Sequence, residues 1–154
     1  MKLAEALIRR KALKENIDQL KLRLTKVAKV QEGDTPAERP QELLATVEAD
    51  LQELQTLIMR INRANLRATL PDSATLMEGI AKRDILKLRR GILEALAGSA
   101  MPVQDRFTRT ELKYVPTVDV AELRKEVDRL SKAYRELDAS LQAANWTVEM
   151  EELL

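Results

Sequence analysis

The side chains that could do chemistry in this sequence are carboxylates, lysines, arginines and amides, because the chain contains no histidine and no cysteine. Without histidine it lacks the commonest general base and the commonest zinc ligand. Without cysteine it has no disulfide, no thiolate metal site and no thiol nucleophile. A catalytic triad built on histidine is therefore excluded within this chain. We expect no catalytic group, no metal and no cofactor, and the composition favours a role other than that of an enzyme.

Polar residues near the ends of the second and third predicted helices form a candidate site. Asn62, Asn65 and the intervening Arg63 could hold an anionic ligand at a helix end, or Asn65 could fix helix register from within an apolar stripe. The segment after the third helix is irregular, and irregular segments often carry function. A pair such as Asp84 and Asp105 could bind a divalent cation through oxygen, and an intersubunit salt-bridge network explains the same residues. The candidate polar cluster comprises Asn62, Asn65, Arg83, Asp84, Gln104, Asp105 and Arg106.

The third predicted helix carries a basic cluster with only Asp84 opposing it. On a helix Arg83, Lys87 and Arg90 lie three or four residues apart on one face, and such a row could meet the phosphates of nucleic acid or of a small ligand. No aromatic residue is interleaved for base stacking, no nucleic-acid-binding signature stands nearby, and the net charge is only +1. Nucleic acid is therefore an alternative partner and not the favoured one. The basic side chains could equally form a solvated helix face that binds nothing. The candidate basic face comprises Lys82, Lys87, Arg89 and Arg90.

Four amphipathic segments must position these residues. Apolar side chains recur at alternating spacings of three and four residues, which keeps one stripe of a helix facing a partner. Thr75 and Glu78 fit a capping box, and Asp119 is the predicted cap of the last helix. Helices are predicted over residues 2–29, 41–66, 75–96 and 119–145.

The apolar stripes predict self-association. Helices of about 40 Å are long for a 154-residue globule, whose radius of gyration would be roughly 15 Å. Apolar faces near the helix tips would then be uncovered in a monomer, and a homo-oligomer would cover them. The third helix carries Met77, Ala81, Ile85, Leu88 and Ile92. The predicted self-association stripe comprises Leu13, Ile17, Leu20, Leu24, Leu123, Val127, Leu130, Leu137 and Leu141.

The fold class that these patterns predict is mainly α. Long antiparallel helical hairpins would form a bundle or coiled coil within a single domain over residues 1–154. Residues 106–115 are rich in β-branched and aromatic side chains and predict a short β segment, which could pair within or between subunits. No repeat at a fixed period is visible.

The N-terminal apolar run is short and interrupted by Glu5, which does not fit a signal peptide. No stretch of about 18 apolar residues could span a bilayer. We therefore expect a cytoplasmic protein without a membrane partner. Its leading role would be that of a structural or interaction module, with binding of nucleic acid or a phosphate ligand as the alternative and an enzyme site near residues 104–113 as a third hypothesis.

Five short motifs resemble one family of proteins. In this order and spacing they are similar to the bacterial septicolysin family of small helical proteins, over the whole chain. The resemblance implies a helical bacterial protein and implies no established activity. The family name suggests a cytolysin, yet the chain has no hydrophobic insertion segment, so we do not expect pore formation. The motifs are Arg60–Asn65, Lys82–Arg90, Gln104–Phe107, Val115–Asp119 and Asn145–Thr147.

Overall fold

The computed structural model describes residues 1–101 and 113–151. Within these ranges the chain forms four α-helices, which confirms the prediction of a mainly α protein. The predicted helix ends differ from the observed ones by at most three residues. The helices are α1 (Leu3–Val27), α2 (Pro40–Arg67), α3 (Leu76–Ser99) and α4 (Val120–Thr147).

Local capping explains where the later helices begin. The Glu78 N–H donates to Thr75 Oγ1 at 3.2 Å, and the Glu78 carboxylate accepts from the Thr75 N–H at 2.8 Å. This capping box satisfies two backbone donors that the first turn of α3 leaves free. The bond from the Thr75 backbone also holds the pKa of Glu78 below its ordinary value. At the start of α4, the Glu122 N–H donates to Asp119 Oδ1 at 3.1 Å.

The β segment predicted over residues 106–115 is not found in the part of the chain that the structure describes. Residues 106–112 lie outside the described ranges, and residues 113–115 form no strand. Tyr114 and Val115 are 87% and 75% exposed, so their β propensity meets no neighbouring backbone with which to pair. The described residues do contain isolated β-bridges, such as the one between Lys2 and Glu149.

By its contacts the chain divides into two compact units. Unit 1 contains residues 1–69 and the residues that follow Gln142, so it holds α1, α2 and the last turn of α4. Unit 2 contains residues 70–142, with α3 and most of α4. The single domain predicted for the chain stays a prediction.

In unit 1, α1 and α2 pack as an antiparallel pair, which we call hairpin one. A bidentate ion pair joins Arg9 to Glu53, with distances of 2.6 and 2.7 Å. Further along α1, Asn16 Nδ2 donates to Asp50 Oδ2 at 2.6 Å. The residue that lies later in α1 contacts the residue that lies earlier in α2, so the two helices run in opposite directions. The apolar core of this pair contains Leu20, Val27 and Leu43, with Leu24 and Val47 packed against it.

The segment after α4 closes on the start of α1. The Leu3 N–H donates to the Val148 carbonyl at 3.0 Å, and the Met150 N–H donates to the Met1 carbonyl at 3.0 Å. Met150 is buried. These bonds satisfy backbone groups at both chain segments and explain why the end of α4 belongs to unit 1.

In unit 2, α3 and α4 form a second antiparallel pair, hairpin two. Arg83 Nη1 donates to Asp138 Oδ1 at 3.1 Å, and the Arg90 guanidinium lies 5.5 Å from the centre of the Tyr134 ring. Close approach near the start of α3 depends on Gly79, where a Cβ atom would lie 2.6 Å from a Leu70 methyl.

The two hairpins repeat one plan. The first helices begin 73 residues apart and the second helices 80 residues apart. In this alignment Leu13 and Leu86 are both buried, as are Ile61 and Leu141. A fixed-period repeat is absent from the sequence because the connection between helices lengthens from residues 28–39 to residues 100–119.

Candidate functional site

The outer face of α3, which comprises Met77, Ala81, Ile85, Leu88 and Ile92, is an uncovered apolar surface. Ile85, Leu88 and Ile92 are 51%, 63% and 67% exposed. The helix packs within unit 2 through its opposite side, where Leu86 and Ala97 are buried. Exposed apolar side chains that follow a helical period mark an interaction surface more strongly than scattered ones do.

Small residues border this face. A shallow groove on α3 is lined by Leu88, Ile92, Gly91 and Ala95, with Asp84 and Lys87 at its edge. A Cβ atom built on Gly91 meets nothing within 4 Å. Small residues beside large ones allow another helix to approach closely. The groove can therefore accept a helix, and it offers no polar pocket for a small ligand.

The predicted self-association stripe lies elsewhere. Leu13, Leu20, Leu130 and Leu141 are buried within the chain, at 2% exposure or less. The other five stripe residues are half-buried. Because hairpin packing already covers these positions, their periodicity needs no second copy to explain it. The α3 stripe presents its apolar side chains to solvent, as do Leu44, Leu51 and Ile58 of α2, which are 55%, 42% and 36% exposed.

A cleft lies at the end of α2, where the sequence suggested that Asn62, Arg63 and Asn65 could hold an anion; Arg60 and Arg67 were not part of that prediction. Three arginines line it at positions 60, 63 and 67, a spacing that places them in one row along the helix. Its volume is about 210 Å³. We call it the arginine cleft, and its other lining residues are Ala64, Ala68, Val148, Glu149 and Glu151. The arginine spacing was the signal in the sequence that could have identified it.

Glu151 occupies part of the arginine cleft. Arg60 Nε donates to the Glu151 carbonyl at 3.1 Å, and Arg67 forms an ion pair with the Glu151 carboxylate. Glu149 pairs instead with the Met1 amino group at 3.2 Å. Arg63 has no carboxylate partner among the described residues. The cleft therefore holds two arginines engaged by one residue and a third that faces solvent.

The structure brings together only part of the candidate polar cluster. Arg83 contacts the neighbouring Asp84 as well as Asp138, which ties it into hairpin two. Asn62 is exposed and Asn65 half-buried near the end of α2, in unit 1. The remaining members, Gln104, Asp105 and Arg106, lie outside the described residues.

The candidate basic face is divided by the helix. Lys82 and Arg89 fall on one flank of α3 and Lys87 on the other, since residues two apart on a helix do not share a face. Arg90 turns towards α4, over the Tyr134 ring, and lies 3.9 Å from Glu94. The four cations therefore do not converge on one surface. Nucleic-acid binding through α3 stays a prediction that this arrangement does little to support.

Metal and membrane sites can be assessed for the described ranges. There, no group of three or more acidic side chains is arranged to hold a metal ion. No helix in those same ranges is both long enough and apolar enough to cross a membrane.

Comparison with known proteins identifies the class. The chain belongs to a family of unknown function, DUF6847, which it matches over residues 10–150. It is also similar to a solved structure, described as a functionally unknown conserved protein from Corynebacterium diphtheriae. The two are 40% identical, the match covers 98% of this chain and 99% of that one, and the TM-score is 0.89. No curated protein matches. Nothing in these findings supports the septicolysin name.

Proposed function

We propose that this protein is a self-associating interaction module, in which the outer face of α3 pairs with the same face of a second copy. The exposed apolar stripe of α3 carries this proposal. The two α3 helices would form an antiparallel coiled coil, and the protein would lie in the cytoplasm, the location expected from the sequence. Burial of an exposed aliphatic side chain contributes roughly 1.5–3 kcal/mol when it is complete, so three such residues per copy supply a sizeable driving force.

The spacing of the face suits a helix–helix seam. Its members stand four, four, three and four residues apart, close to the period of a coiled coil. The 24 residues of α3 extend over about 36 Å at 1.5 Å per residue. When two α3 helices run antiparallel and the symmetry axis passes midway between Leu88 and Ile92, Leu88 of each copy packs against Ile92 of the other. Ile85 then lies opposite the small Ala95.

The test is the mass of the protein in solution. We expect a dimer by size-exclusion chromatography with light scattering, and a monomer for the double variant Leu88→Glu with Ile92→Glu. Leu22→Glu is the matched control, because Leu22 is 63% exposed on α1. If the wild-type chain stays monomeric at concentrations up to about 100 µM, its dissociation constant is higher than that of most specific complexes. That result would overturn the proposal.

A further inference from the structure

We infer that the arginine cleft of unit 1 binds a phosphate-type oxyanion, which takes the place of the Glu151 carboxylate. The first support is that three arginines, Arg60, Arg63 and Arg67, line one cleft. Arginine binds phosphate and carboxylate oxygens through paired N–H donors, and more strongly than neutral donors do. The site is separate from the outer face of α3 and does not depend on the self-association proposed above.

The second support is the contact that Glu151 already makes. Its carbonyl accepts from Arg60 and its carboxylate pairs with Arg67, so one acidic residue spans two of the three arginines. The ion pair is exposed on both sides, with about three-fifths of each side chain accessible. Exposed ion pairs contribute little net stability, which makes Glu151 displaceable by a stronger ligand.

The third support comes from the matching end of α4. The helix positions that correspond to Arg60, Arg63 and Arg67 are Ser140, Ala143 and Thr147. Both helix ends nevertheless close with the same backbone bond, from Ala68 to Ala64 and from Val148 to Ala144, each at 2.9 Å. Since the shared plan forms without cations at the end of α4, packing alone does not require the three arginines of α2.

The volume and the electrostatics of the cleft define the ligand class. A volume of about 210 Å³ is smaller than the roughly 300 Å³ at which pockets for drug-sized molecules begin. A helix C-terminus carries partial negative charge, so an anion there needs side-chain cations, which the arginines supply. A phosphate group is small enough for this volume and carries the negative charge that the arginines would bind. It could belong to a small phosphorylated ligand or to a nucleic-acid backbone.

Calorimetric titration of the full chain with pyrophosphate, at constant ionic strength, tests the inference. We expect saturable binding to the wild type and about tenfold weaker binding to Arg63→Ala, the effect of losing one charge-assisted contact. Arg124→Ala, which removes another exposed arginine, should bind as the wild type does. Glu151→Gln should bind more tightly, because it removes the competing carboxylate.

Three results would overturn the inference: no saturable binding to the wild type, equal binding by Arg63→Ala, or no gain with Glu151→Gln. A parallel titration with a short single-stranded oligonucleotide separates the two sources of phosphate. Tighter binding of the oligonucleotide, lost in Arg63→Ala, would identify a nucleic-acid backbone as the ligand. Tighter binding of pyrophosphate would identify a small phosphorylated ligand. Either result supports the oxyanion site.

Discussion

Hairpin one and hairpin two share a backbone plan but exchange polar and apolar side chains at matching positions. Asp50 of α2 hydrogen-bonds to Asn16, whereas its counterpart in α4 is Leu130, which is fully buried. Conversely, Ile58 of α2 is partly exposed, and its counterpart Asp138 pairs with Arg83. The same helix positions therefore carry an apolar side chain in one pair and a polar contact in the other, and each hairpin must be judged by its own partners.

The exposed surfaces differ in the same way. The positions of α1 that match Ile85, Leu88 and Ile92 are Ala12, Glu15 and Gln19, so the large exposed aliphatic side chains at these three positions of α3 have no large aliphatic counterpart in α1. The arginine cleft has no counterpart in hairpin two. Each candidate site is thus a departure from the common plan, and such departures are where function is most readily separated from packing.

The largest expected effect comes from the exchanged pair Leu130 and Asp50. Leu130→Asp should lower the free energy of unfolding by about 4 kcal/mol or more, since it buries a charge without a partner and removes core volume. Asp50→Leu should change it by less than about 1 kcal/mol, because Asn16 is exposed and can bond to water. Urea denaturation of both variants measures the difference. If Leu130→Asp and Asp50→Leu changed the free energy of unfolding by the same amount, the two hairpins would not differ at this position.

An intermediate effect is expected for the matching arginines Arg83 and Arg10. Arg83→Leu leaves Asp138, whose side chain is 34% exposed, without its partner. It should therefore cost about 1–2 kcal/mol in the free energy of unfolding. Arg10 has no ion pair within the described residues, so Arg10→Leu should stay within about 0.5 kcal/mol of the wild type. Chemical denaturation measures the free energy of unfolding of both variants. A larger loss for Arg10→Leu than for Arg83→Leu would contradict the prediction.

The smallest effect distinguishes two glycines of α3. In the Leu88→Glu, Ile92→Glu background, where the proposed dimer is absent, Gly91→Ala should stabilise the protein by about 0.5–1 kcal/mol, because alanine favours the helix and its Cβ meets open space within one copy. Gly79→Ala should gain less or lose stability, since its Cβ must displace a Leu70 methyl at 2.6 Å. Alanine is already present and buried at the matching position, Ala6. Thermal melting of the two variants provides the measurement, and a larger gain for Gly79→Ala would contradict the close packing described there.

The candidate sites were only partly predictable. The periodicity of α3 marked Met77, Ala81, Ile85, Leu88 and Ile92 as one face, and the structure leaves that face uncovered. The same reasoning assigned self-association to leucines that the hairpins bury. Period and spacing identify which residues share a face, but they carry no information on which element covers that face.

The sequence by itself determined the mainly α class, the helix limits and the caps, because these depend on interactions between residues a few positions apart. Thr75, Glu78 and Asp119 act through their own first turns wherever the helices lie. Tertiary structure alone decided that Leu130 is core, that Arg90 lies over Tyr134, and that the segment after α4 meets Arg60 and Arg67. Those contacts join residues far apart in the chain, and only the packed helices bring them together.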